Sequence, residues 1–141
     1  MITDMLKQDS CVSTMPWFEI FPEKLEFFKR YCREYIEITS QEAGCLYYGF
    51  TFNGHSAHCR ECYLDAEGVL AHLINLQDLN TKTLNLARIT RFEIHGPAEE
   101  LEKLRPAFEF LTPEYYELEI EFRRAVDFTR AGWVTEVGHA R

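Results

Sequence analysis

The order in which two hydrophobic periods alternate along this chain predicts an α+β fold: β-α-β-β-α-β, then a short helix and one further strand. Three observations carry the prediction. Phe21, Leu25, Phe28, Cys32, Tyr35, Ile36 and Thr39 recur at helical spacing. Residues 45–52 alternate at period two and run into Asn53-Gly54. Asp65 then opens a second helical pattern directly after a returning strand.

Each element has its own signal. Residues 14–20 (TMPWFEI) read as the first strand, which Pro16 confines to an edge or a bulge because proline has no N–H for the ladder. In the helix that follows, Glu26, Lys29, Arg30, Arg33 and Glu34 point away from the apolar stripe. Pro22 suits its first turn and Gly44 lies beyond its end. In 45–52 (CLYYGFTF), Leu46, Tyr48, Phe50 and Phe52 share one face, and Cys45, Tyr47, Gly49 and Thr51 the other. Asn53-Gly54 favours the positive φ angles of a tight hairpin, so the strand returns over 57–63. Asp65 is the N-cap of a helix to about Leu76, extendable by a turn or two to Leu86. Residues 88–95 (RITRFEIH) form a strand, and Pro97 opens an acidic-headed helix that Pro106 ends. Tyr116, Leu118, Ile120 and Phe122 alternate with Tyr115, Glu117, Glu119 and Glu121 in a last strand, whose glutamates read as a solvated face.

This is the ferredoxin-like arrangement, an antiparallel sheet with helices on one face. One domain over 13–125 is expected, between a mobile segment 1–12 and a tail 126–141 without clear periodicity. Helices cover one face only, yet both faces of 45–52 carry bulky or apolar groups. The uncovered face is therefore expected to meet an apolar partner, most simply a second copy in a homodimer.

Composition narrows the function. A chain of 141 residues, 46% hydrophobic and 27% charged, fits a single globular core. No apolar run approaches the ~20 residues that cross a bilayer, and the opening residues lack a signal pattern, so a soluble cytoplasmic protein without a membrane partner is expected. A formal charge of −8 would repel a phosphate backbone, which argues against nucleic acid. Eleven Phe, seven Tyr and two Trp exceed the needs of so small a core and suggest an aromatic-lined pocket or interface. Five cysteines, an odd count, argue against a disulfide framework, and Cys11, Cys32 and Cys45 read as small buried hydrophobes.

The densest reactive cluster is His55, His58, Cys59 and Cys62. Its C-x-x-C spacing suits zinc, but strand residues three apart point to opposite faces, so no metal is expected there. His72 falls roughly 40° outside the buried arc of Ala66, Val69, Leu70, Leu73, Ile74 and Leu76, at its border. From there an imidazole can reach a helix–sheet cavity and serve as a general base. By position alone, a partly exposed helix histidine without a function is the plainer reading. His95 and His139 carry less weight. No nucleophile elbow, phosphate loop or dinucleotide fingerprint is present.

EAGCLYYGFTFNG followed by HCRECYLDAEGVLAHL resembles the antibiotic biosynthesis monooxygenase family, with its Glu-x-Gly-Cys stretch, Glu-x-aromatic strand end and helix histidine. The resemblance runs from about Trp17 through ARITRFEIHGPAEELEKLR to Arg123. It implies a dimeric α+β barrel and oxidation of a phenolic, quinol or anthrone-like small molecule by O₂, with neither metal nor organic cofactor. His72 matches the family's helix histidine, as base or orienting donor, and Tyr63 the aromatic before it. Tyr48 and Phe50 would line the pocket, with Trp17 and Phe18 closing it from the first strand. Haem degradation, a second family activity, is not expected: Tyr63 stands where a Trp belongs, and no Asn lies in the first strand. The alternative is a non-catalytic small-molecule-binding or stress-response dimer of the same shape.

Overall fold

The computed structural model describes residues 9–124. Its strands are β1 (Val12–Ile20), β2 (Cys45–Asn53), β3 (Ser56–Tyr63), β4 (Ala87–Gly96) and β5 (Glu114–Glu117). The helices are α1 (Leu25–Thr39), α2 (Ala66–Asn75), α3 (Gln77–Thr83) and α4 (Ala98–Phe108), the last tightening into a 3-10 turn at Glu109–Leu111. The sheet order is β2-β3-β1-β4-β5, antiparallel except for the β4–β5 pair. This is the α+β, ferredoxin-like order read from the sequence. Among the described residues no helix is long and apolar enough to cross a membrane.

Packing follows the inward parity of each strand. Val12, Tyr63 and Ile94 meet Ala66 and Val69 of α2 and Leu101, Leu104 and Phe108 of α4. At the other end Ile20, Ala57 and Ala87 meet Phe28 and Cys32 of α1. Asp65 caps α2 as predicted, its Oδ1 accepting from the Gly68 N–H at 2.9 Å. Replacing Asp65 by Ala should cost about 1 kcal/mol, read as a lower urea midpoint; an unchanged midpoint would remove the cap from the account.

The prolines account for most of the differences from expectation. Pro16 sits in β1, the central strand, where it pairs with Phe92 of β4. The ladder to β3 is interrupted there, and the His58 ring lies with Nδ1 2.9 Å from the Pro16 carbonyl. A register shift at Trp17/Phe18 absorbs the distortion. Pro22 lies in a turn ahead of α1, because the Phe21 N–H bonds the Leu86 carbonyl at 2.9 Å and Glu23 has φ of 66°. Pro106 falls inside α4, which runs on to a buried Phe108 packed against Phe92 before Thr112, at φ 43°, stops it.

Two ends also differ. β5 stops at Glu117, because β4 ends at Gly96, whose carbonyl accepts from the Leu118 N–H at 2.8 Å; Ile120 is 92% exposed. Of the segment read as mobile, residues 9–12 join the fold: Val12 is fully buried, and Ser10 Oγ donates to the Leu64 carbonyl at 2.7 Å. Residues 1–8, and the tail 126–141 with His139, lie outside the described residues.

The face away from the helices is aromatic and charged rather than bare and apolar. Trp17 stacks on His58 at 4.2 Å, and Arg91 lies over Trp17. Arg60 lies over Tyr47, and His95 stacks on Tyr116.

Candidate functional site

A cavity of about 130 Å³ lies between the helices and the inward face of the sheet. It compares with the ~150 Å³ apolar cavity that holds a benzene ring. Thr14 and Phe18 of β1, Tyr48 and Phe50 of β2, Cys59, Glu61 and Tyr63 of β3, and Phe92 of β4 line it from the sheet. Val69 and His72 of α2 and Phe108 of α4 face them. Leu84, 48% exposed, and Phe110, 72% exposed, line it too and mark an apolar mouth.

The structure thus gathers Phe18, Tyr48, Phe50, Tyr63 and His72 around one space. Trp17 does not join them. Strand alternation sends it to the opposite face, against His58. Cys59 and Cys62 likewise part, Cys59 lining the cavity and Cys62 facing away beside Ser13. Among the described residues no three His, Cys, Asp or Glu side chains converge as metal ligands would.

His72 is more enclosed than its border position suggested. Its Nδ1 lies 3.0 Å from Glu42 Oε1, and both side chains are 9% exposed. Asn75 Nδ2 donates to the other Glu42 oxygen at 2.9 Å. A carboxylate at Nδ1 holds the proton there and leaves Nε2 as the accepting nitrogen. The Tyr48 and Tyr63 rings flank the imidazole, with centroids 5.1 and 5.3 Å away.

The pairing depends on a close backbone crossing. A Cβ on Gly44 would stand 2.9 Å from Gly68 Cα, so the loop carrying Glu42 can reach α2 only if both positions lack side chains. The Leu64 N–H bonds the Gly44 carbonyl at 2.9 Å and fixes the same crossing.

The second ionisable group is Glu61, which sequence reasoning did not assign. It occupies an inward slot of β3, and its carboxyl Oε1 accepts from Tyr63 Oη at 2.6 Å and from Thr14 Oγ1 at 2.7 Å. Burial raises its pKa above the ordinary carboxyl value, against the opposing pull of His72 and of the Tyr63, Thr14 and Cys59 hydrogen bonds. Burial, then the neighbouring Glu61 charge, also raises Tyr63. Tyr63 therefore stays a neutral donor that touches both acid–base groups, by hydrogen bond to Glu61 and by ring contact to His72. Both missed glutamates were visible in the sequence: Glu42 in the EAGC stretch and Glu61 in the ECY strand end.

No family sequence model matches the chain, and no protein among the curated ones does. Solved structures do match. MupZ from Pseudomonas fluorescens is 52% identical, with a TM-score of 0.81, over 84% of this chain and 92% of that one. A Chloroflexus aurantiacus protein described as an antibiotic biosynthesis monooxygenase matches at 17% identity and TM-score 0.54, over 63% of this chain and 94% of its own. SnoaB from Streptomyces nogalater, a cofactor-independent oxygenase, matches in the form of a point mutant at 11% identity and TM-score 0.54, over 60% of this chain and 90% of that one. The two distant matches share the fold. The MupZ match, at 52% identity over 84% of this chain, shows that the chain belongs to the family of MupZ.

Proposed function

We propose that this protein is a cofactor-independent monooxygenase that oxidises a phenolic, quinol or anthrone-like molecule with O₂. The observation that carries the reading is the convergence of two acid–base groups, His72 with Glu42 and the buried Glu61, on one ring-sized and largely apolar cavity. Aromatic walls suit an aromatic substrate, and the apolar mouth at Leu84 and Phe110 suits its entry.

For an anthrone-like CH₂ group, the chemistry balances on these residues alone. His72 Nε2 takes one C–H proton, and the carbanion reduces O₂ and bonds to it as a peroxide anion. Glu61, whose pKa burial raises, protonates the outer oxygen. The second C–H proton then passes to the Glu61 carboxylate as the O–O bond breaks. A carbonyl remains, and the departing hydroxide takes the proton held on His72 and leaves as water.

The test is oxygen uptake against quinols, catechols and anthrones, with His72→Ala alongside. We expect uptake above the autoxidation blank, reduced at least about 100-fold in the variant. Turnover unchanged in His72→Ala would remove that residue from the mechanism, and uptake equal to the blank across the panel would count against the oxygenase reading.

One observation favours a second reading. A buried carboxyl with a raised pKa is equally a general acid for an addition or ring-forming step that consumes no O₂. Turnover at full rate under argon would establish that alternative.

A further inference from the structure

The cavity has a second polar end, away from His72 and Glu61. Asn80, Tyr35 and Thr83 line it there beside Leu84. Asn80 lies inside α3, its backbone N–H bonded to the Leu76 carbonyl at 2.8 Å and its carbonyl accepting from the Leu84 N–H at 3.2 Å. Asparagine favours caps and turns over helix interiors, because its side chain competes for nearby backbone groups. This one caps nothing. Tyr35 Oη donates to its Oδ1 at 2.6 Å and lies 3.0 Å from Thr83 Oγ1. Thr83 gives its own proton to the Leu79 carbonyl at 2.9 Å, so toward Tyr35 it only accepts. Burial raises the Tyr35 hydroxyl above its ordinary value, against the Thr83 hydrogen bond, and keeps it a protonated donor. Asn80 Oδ1 is thus engaged, and among the described residues no acceptor meets the two N–H groups on Nδ2.

We propose that the Asn80 amide is a substrate-recognition site, donating to a neutral oxygen, carbonyl or phenolic, that the aromatic substrate carries remote from the group reacting at His72. The inference names a property of the substrate of the oxygenase proposed above and rests on that reading.

The layout of the cavity supports both the separation and the neutrality. The Tyr48 ring links the two ends, with its centroid 5.1 Å from that of His72 and 6.3 Å from that of Tyr35. Leu84 at the mouth lies one helical turn beyond Asn80. A ring that enters with its reacting end first therefore leaves its trailing oxygen at Asn80. The hydroxyls of Thr14 and Tyr63 already donate to Glu61, so they are committed at the other end. Among the described residues no lysine or arginine lines the cavity, and a buried carboxylate or phosphate would lack a counter-charge there.

The experiment measures binding under argon, by titration calorimetry on the full chain, with benzaldehyde, its near-isostere styrene, and benzoate. Asn80→Asp keeps an oxygen for Tyr35 Oη but offers no N–H. Asn80→Leu removes both functions, and Tyr35 Oη retains Thr83 Oγ1 as its acceptor. We expect each variant to weaken benzaldehyde about tenfold, the effect of leaving one buried acceptor unpaired, while styrene stays within about threefold. Benzoate should bind the parent at least about tenfold more weakly than benzaldehyde. An unchanged benzaldehyde-to-styrene ratio in both variants, benzoate binding as tightly as benzaldehyde, or no binding of either neutral ligand to the parent would overturn the proposal. If Asn80→Leu does not fold, Asn80→Asp decides the matter alone. Because no turnover is involved, the two readings fail separately. A lost benzaldehyde preference without oxygen uptake would leave the recognition site standing and count against the oxygenase. Uptake with an unchanged ratio would do the reverse.

Discussion

Glu61→Gln should lower turnover by about 10²- to 10⁴-fold, the range lost with a positioned proton donor, while leaving the fold intact. The variant is clean because the Gln carbonyl can accept the same two hydrogen bonds, from Tyr63 Oη and Thr14 Oγ1, that the Glu61 carboxyl accepts. Glu61→Ala would instead strand two buried hydroxyls, at about 1–3 kcal/mol each, and confuse loss of chemistry with loss of structure. Turnover within about threefold of the parent in Glu61→Gln would exclude Glu61 as a proton carrier, since a real general acid contributes far more.

The same substitution carries a signature in stability. The folded-state pKa of Glu61 is raised above the ordinary value of 4.5. The folded state therefore holds this proton more tightly than the unfolded chain does. Its contribution to stability is complete below the unfolded pKa and is lost as pH rises through the folded one. The window opens near pH 4.5 and extends upward. Over it, Glu61→Gln should show a flatter decline of the urea midpoint than the parent and should be the more stable protein at its alkaline end. Parallel midpoint-versus-pH curves would mean that Glu61 is ionised in the folded state.

The contrast between Glu61 and Trp17 explains what the sequence could reveal. Helical and strand periods report which positions face a core, so α1, the β2–β3 hairpin and α2 could be read directly, while Tyr48, Phe50 and Tyr63 were implied as cavity residues by the family resemblance. Trp17 and Phe18 are adjacent in a strand, so alternation allows only one of them to face the cavity; Phe18 does. Glu61 has the inward parity of Cys59 and Tyr63, but its partner Thr14 is 47 residues away on β1. No local pattern announces such a partner. Likewise the His72–Glu42 pair spans 30 residues and exists only because the 42–44 loop crosses α2. The prolines misled for the opposite reason. Pro22 and Pro106 each have a strong local preference, and each was overruled by a tertiary contact, the Leu86 carbonyl and the packing of Phe108, whereas Pro16 brought the register shift at Trp17/Phe18 that its reading as edge or bulge allowed.

That loop crossing gives the other large expected effect. In an open helix, Gly→Ala stabilises by about 1 kcal/mol through propensity. At position 68 the new Cβ would stand 2.9 Å from the Gly44 carbonyl oxygen and 3.3 Å from Tyr63 Cβ. The first of these obstacles is backbone, which cannot swing aside as a flexible side chain does. Gly68→Ala should therefore destabilise by about 1–3 kcal/mol, the usual cost of overpacking. The loop must also lift from α2 and draw Glu42 away from His72 Nδ1, and a misplacement of about 1 Å near the chemistry can lower turnover roughly 100-fold. Gly49→Ala is the control: nothing lies within 4 Å of its Cβ, so stability should stay within about 0.5 kcal/mol of the parent. If Gly68→Ala stabilises as an ordinary helix substitution would, the 42–44 loop is not held by this contact, and the His72–Glu42 pair must owe its geometry to the Asn75 and Leu64 hydrogen bonds instead.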